Sequence, residues 1–321
     1  GSGVGGTAGA LRNISGNNTY TGAIALGAGG ARINADLNTL TISGAGSITG
    51  AEALTIGGAG NATISKIIAT GAGTLTKDGA GTLTLSGNNT YSGATTISAG
   101  TLRATTSANA LGATGVASGT TIGAGATLAY GSSLTFAAES LTMNGGTLSR
   151  SANNPTMNGT IALTGANTVT GTAGTFTLGG IVSGTGSLAK TGTGTVVLAG
   201  ANTYTGATSV SAGILQLNSI NGLGDVAAGT TVTAGTLAYN GSLTFDAESL
   251  TLNGGTLDTS TLFSGFTPTG LLSSIGGSVG GYFGSYLASQ LIQPINGTAA
   301  IGTQIGSALG AAVGVSAAAQ G

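Results

Sequence analysis

What most limits the folds open to this chain is that it repeats itself. Leu75, Lys77, Gly79, Gly81, Leu83, Leu85, Asn89, Tyr91, Gly93, Ile97, Gly100 and Leu102 recur as Leu188, Lys190, Gly192, Gly194, Val196, Leu198, Asn202, Tyr204, Gly206, Val210, Gly213 and Leu215. The displacement is 113 residues throughout. A second unit, Leu134 to Leu148 with Phe136, Glu139 and Met143, returns as Leu243 to Leu257 with Phe245, Glu248 and Leu252. A partial third copy of the Asn-Thr-Tyr stretch, Ser15 to Gly22, stands near the start. Inside the long repeat lie smaller look-alike units of roughly 20 residues, the mark of stacked supersecondary units.

Each small unit reads as strand. Thr39-Leu40-Thr41-Ile42, Thr82-Leu83-Thr84-Leu85 and Thr175-Phe176-Thr177-Leu178 alternate apolar with β-branched polar residues. A period of two sends the apolar set to one face and threonine to the other. The runs last only three to five residues and end in glycine or Asn-Gly, residues that accept the backbone of sharp corners. Short strands turned by glycine every few residues suit the coil of a β-solenoid. Residues 10–258 then make roughly a dozen coils and a rod on the order of 60 Å long. The expected fold class is all-β, a β-solenoid over residues 1–262.

Composition narrows the chemistry. The chain has no Cys and no His, so disulfides, the usual zinc sites and His-dependent nucleophilic relays are excluded. Seven Lys and Arg against eight Asp and Glu, spread along the chain, make no basic stripe for nucleic acid. Glu139 and Glu248 are repeat equivalents, too far apart to act as a carboxylate pair. Lys77-Asp78 reads as a solvated corner pair. Gly57 to Ala62 approaches a calcium-binding glycine repeat but has Ala62 where an Asp is needed. No catalytic, cofactor or metal site is expected, and no enzyme. Threonine columns could order water into ice only if Thr-x-Thr pairs aligned on one face, and the irregular spacing argues against it. Asn18, Asn89 and Asn202 hold one repeat position, and Tyr20, Tyr91 and Tyr204 another. They are assigned to corners, with the amide satisfying turn backbone and the ring covering the next coil.

The shared pattern is Leu-x-Lys-x-Gly-x-Gly-Thr-Leu-x-Leu-x-Gly-x-Asn-Thr-Tyr-x-Gly, followed by a β-branched residue and Gly-Thr-Leu. Leu75–Leu102 fits it throughout, and Leu188–Leu215 fits with Val196 and Ile214 as conservative departures. It resembles the passenger-associated β-strand repeats of bacterial autotransporters and related giant surface proteins. That resemblance implies a right-handed parallel β-helix in an exported, often adhesive, protein. An autotransporter's terminal membrane barrel of aromatic-rich strands has no counterpart in this sequence.

After Asp258 there is no Lys, Arg, Asp or Glu, and the composition changes near Phe263. Glycines then recur every four residues, at Gly276, Gly280 and Gly284, and at Gly302, Gly306, Gly310 and Gly314. Spacing by four places them on one helix face, where backbones approach closely. Residues 263–321 are therefore expected to form a helical glycine-zipper hairpin, a candidate interface for assembly, capping or membrane insertion. The function expected is that of a structural shaft on the bacterial cell surface or outside the cell, self-associating through the hairpin. The alternatives are an adhesin binding host or glycan ligands, and a protein anchored in the outer membrane by the hairpin.

Overall fold

The computed structural model describes residues 8–114, 118–136, 138–240 and 249–258, all in one compact unit, Gly1–Thr261. The boundary expected near 262 and the glycine-zipper hairpin with its seven glycines lie outside the described residues. Every strand pairing among the described residues is parallel, and the chain winds as a three-sided solenoid. The first face is a nine-stranded sheet from Leu11–Asn13 to Val182–Gly184. The second is a twelve-stranded sheet from Asn18–Tyr20 to Leu250–Leu252. The third is split: three strands between Ile24 and Ala69, then seven from Thr135–Phe136 to Thr256–Asp258. Eleven steps along the second face, each about 4.8 Å, give a body about 50 Å long.

Alternation decides which side chains go inside. On the second face Leu40, Ala62, Leu83, Leu102, Leu128, Leu148 and Val169 stand directly above one another, each buried. Burying one such leucine contributes about 2 kcal/mol, and a parallel ladder lets identical side chains stack without a cavity. Outward positions carry threonine, whose branched Cβ suits the pleated surface. Thr55, Thr76, Thr96, Thr121 and Thr142 form one such column on the first face, and Thr82, Thr101, Thr127, Thr147 and Thr168 another on the second.

These columns correct the expectation that irregular spacing would keep the threonines out of line. Coil length does vary, from 19 residues between Thr82 and Thr101 to 26 between Thr101 and Thr127. The corners absorb the difference and leave the strands in register. A two-column Thr-x-Thr array still does not form, because Arg103, Ala129 and Ser149 hold the companion positions beside Thr101, Thr127 and Thr147.

The 113-residue repeat is not a whole number of coils. Leu75–Lys77 lies on the first face, but its counterpart within Ser187–Thr191 lies on the second. Thr82–Leu85 lies on the second face and Thr195–Leu198 on the third. Thr95–Ile97 against Thr208–Val210 shifts the same way, as does Thr127–Tyr130 against Thr236–Tyr239, which is displaced by 109 residues like the second unit. One repeat therefore advances five coils and one further face. Residues equivalent in sequence point in different directions from the shaft.

Candidate functional site: the repeat corners

Lys77 occupies an inward position, stacked between Ile56 and Ile97. Lys190 is likewise stacked between Val169 and Val210. Both are buried at 2% and 1% exposure, which corrects the reading of Lys77 as half of a solvated corner pair. The stem fills the aliphatic column while the ammonium reaches the corner. There Lys77 Nζ donates to the carbonyls of Asp78 (2.8 Å), Gly79 (2.8 Å) and Ala99 (3.1 Å). Lys190 Nζ donates to the matching carbonyls of Thr191 (2.9 Å), Gly192 (2.7 Å) and Ala212 (2.9 Å). Two carbonyls come from the lysine's own corner and one from the coil above, so each ammonium ties two coils together. Burial pulls both lysines down from 10.5 to about 8, since a charged group loses hydration there. The glycine after Ala212 is part of the fit: a Cβ on Gly213, at φ +63°, would stand 2.8 Å from Lys190 Nζ. The Lys-x-Gly and Ala-Gly elements of the repeat are thus two halves of one corner.

Asp78 takes a different partner. Its carboxylate receives Arg32 Nη1 and Nη2 at 2.7 and 2.8 Å. Arg32 sits two coils earlier, and Gly57 lies between them in the intervening coil. A Cβ there would come within 2.0 Å of Asp78 Oδ1 and 2.1 Å of Arg32 Nη2. The missing side chain opens the gap that the ion pair spans.

The repeated asparagines stand where a face lacks its strand. Asn89 Oδ1 accepts from the Ile68 amide (2.8 Å) below, and its Nδ2 donates to the Ala110 carbonyl (2.6 Å) above. Asn202 does the same between the Val182 amide (2.8 Å) and the Gly222 carbonyl (2.7 Å). Ile67–Ala69 is the last strand of the short third-face sheet, and Val182–Gly184 the last of the first face. Each carboxamide carries the ladder one step past the end of a sheet. Tyr91 and Tyr204 follow, both wholly buried. Their hydroxyls pair with Thr95 Oγ1 (2.8 Å) and Thr208 Oγ1 (2.6 Å). Neither ring is presented to a sugar. Asn18 and Tyr20 are not brought to an equivalent corner. They lie on an exposed second-face strand, where Asn18 reaches Asn13 and the Ser15 carbonyl (2.8 Å).

These geometries separate the copies by experiment. Asn89→Ala leaves a buried N–H and a buried C=O without partners and is expected to cost about 2–4 kcal/mol. Asn18→Ala, made at an exposed position, is expected to stay within about 0.5 kcal/mol. Denaturant midpoints of the two variants check this, and equal losses would reject the corner role of Asn89.

Glu139 is the one buried carboxylate among the described residues. The sequence offers it only as a widely separated repeat equivalent of Glu248. In the structure it accepts from Thr120 Oγ1 at 2.7 Å, and burial raises it from 4.5 to about 7. Its repeat counterpart Glu248 lies outside the described residues. No group of three or more carboxylates that could hold a metal occurs among the described residues.

Residues 75–104 and 188–217 each match the model of the passenger-associated-transport-repeat. Two segments of the chain are thus similar to passenger-associated transport repeats. Each matched segment runs from the lysine strand through the Asn-Thr-Tyr corner to the Gly-Thr-Leu strand and so contains both corner fasteners. No curated protein and no solved structure matches the chain.

Proposed function

We propose that residues 8–258 are the rigid, non-catalytic shaft of a surface-exposed or secreted bacterial passenger protein. The observation that carries this reading is the unbroken twelve-strand ladder of the second face. The lysine and asparagine corners of its passenger repeats serve to join one coil to the next. Their polar groups are turned onto neighbouring coils rather than toward a cleft where a substrate could sit. The right-handed winding implied by the family resemblance agrees with the hand that twisted parallel strands prefer. A nearly uncharged surface weakens repulsion between copies, which supports self-association. The four-residue glycine spacing of 263–321 supports giving that segment the assembly or capping role.

Immunogold labelling of intact cells producing the full chain tests the assignment. Label on the cell exterior, or on released rods, is expected. Label confined to the cell interior would overturn it.

A further inference from the structure

The inner column of the first face reads Leu54, Leu75, Thr95, Thr120, Leu141, Ile161, Val182. Two threonines interrupt an otherwise aliphatic stack, and both are buried. They serve two buried acids. Thr95 holds the Tyr91 hydroxyl, and Thr120 donates to Glu139. Glu139 forms the corner that leads into Leu141–Asn144, and it is only 4% exposed. Tyr130, on the second face, is also wholly buried; its hydroxyl has no hydrogen-bond partner. Burial and then the charge of Glu139 push it upward. Tyr91 feels the same carboxylate. Thr120 is thus the hydrogen-bond partner of Glu139, Tyr91 and Tyr130 feel its charge, and Glu139 takes part in neither ion pair found among the described residues. A carboxylate so placed carries an uncompensated charge inside the coil, whereas the carboxylic acid is neutral and still accepts from Thr120.

We propose that the Glu139 corner is a proton-keyed latch of the shaft: the protonated carboxyl holds the coil closed, and loss of the proton opens that corner to water. The sign follows from linkage. A carboxyl held above its unfolded value binds its proton more tightly in the closed coil. Its contribution is present in full below pH 4.5 and is lost as pH rises through about 7. The two coils at risk are those containing Thr120–Ile122 and Leu141–Asn144, which pair directly beside the carboxyl. The latch does not depend on where the protein resides.

The test uses the full chain and its Glu139→Gln variant, whose amide keeps the shape without the proton. Amide exchange over 118–122 and 139–144, corrected for its intrinsic pH dependence, is measured from pH 5.5 to 8.5. Wild-type protection is expected to fall at least tenfold over that range, while Glu139→Gln stays flat. Reading these segments alone keeps Glu248 out of the result. An equal fall in the variant overturns the latch. Should Glu139→Gln fail to fold, Thr120→Val supplies the second test. Removing the hydroxyl donor that favours the carboxylate is expected to move the midpoint of the wild-type transition upward, and an unmoved midpoint rejects the proposal.

Discussion

Lys77→Met and Lys190→Met are each expected to lower stability by about 3 kcal/mol, and the double variant by about twice that. Methionine fills the column as well as the lysine stem does, so the apolar stack is preserved. What disappears is the ammonium that satisfies three corner carbonyls. A buried acceptor left without a donor costs about 1–3 kcal/mol. Three of them, about 6 kcal/mol together at the middle of that range, outweigh the relief of no longer burying a charge. The two sites share no partner, so their effects add. Lys190→Arg is not expected to substitute for the lysine, since even a single carbon added at Gly213 would stand 2.8 Å from the ammonium, and the guanidinium is wider. Urea midpoints at pH 7 check all of these. A pH series adds a signature that packing loss does not give. Both lysines sit near 8 in the coil against 10.5 in a free chain, so between those values the folded protein holds fewer protons than the unfolded one. Stability contributed by them therefore rises with pH from about 8 to 10.5, and the double variant loses that rise.

The solenoid itself was legible because its information is local. Thr-Leu-Thr-Leu alternation names the inward residue within four positions, and the glycines mark each corner. The corner fasteners were less so. Lys77 next to Asp78 looks like an exposed ion pair, and only its counterpart Lys190, followed by Thr191, carried a hint that no acid was needed. The buried role of Glu139 was hidden because nothing in Ala138-Glu139-Ser140 announces an inward side chain. Its partner Thr120 is 19 residues away, one coil below. The first Asn-Thr-Tyr copy misled for the opposite reason. Asn18 and Tyr20 keep the motif but lack the Thr-Leu-Thr-Leu strand ahead of it, so the segment becomes a strand instead of a corner. The shift of the repeat by one face could not be read at all. It depends on how many residues each corner absorbs, and coil lengths between 19 and 26 leave that sum open.

The same division between rigid strands and elastic corners predicts two insertions with opposite outcomes. One glycine inserted between Leu128 and Ala129 is expected to cost more than about 5 kcal/mol and to abolish cooperative unfolding of the middle coils. A slip of one residue exchanges the faces of everything that follows in the strand. Ala129 would turn inward and Tyr130 outward. Tyr130 now packs its ring 4.1 Å from Phe136 and 5.9 Å from Phe176, centroid to centroid. Turning it out would forfeit roughly 2–3 kcal/mol of burial and about 1 kcal/mol of ring contact for each pair. Ala129 and Tyr130 would also lose their register with Arg103 and Ala104 below and with Ser149 and Arg150 above. Three glycines inserted after Thr106 are expected to cost under about 1 kcal/mol. That exposed corner belongs to the longest coil and already takes a positive φ of 66°, and lengthening a loop adds closure entropy only logarithmically. Thermal unfolding followed by circular dichroism distinguishes the two. A chain in which both insertions were equally tolerated would not be wound on a fixed ladder, because only an inside and an outside that alternate residue by residue make one extra residue in a strand so much costlier than three in a corner.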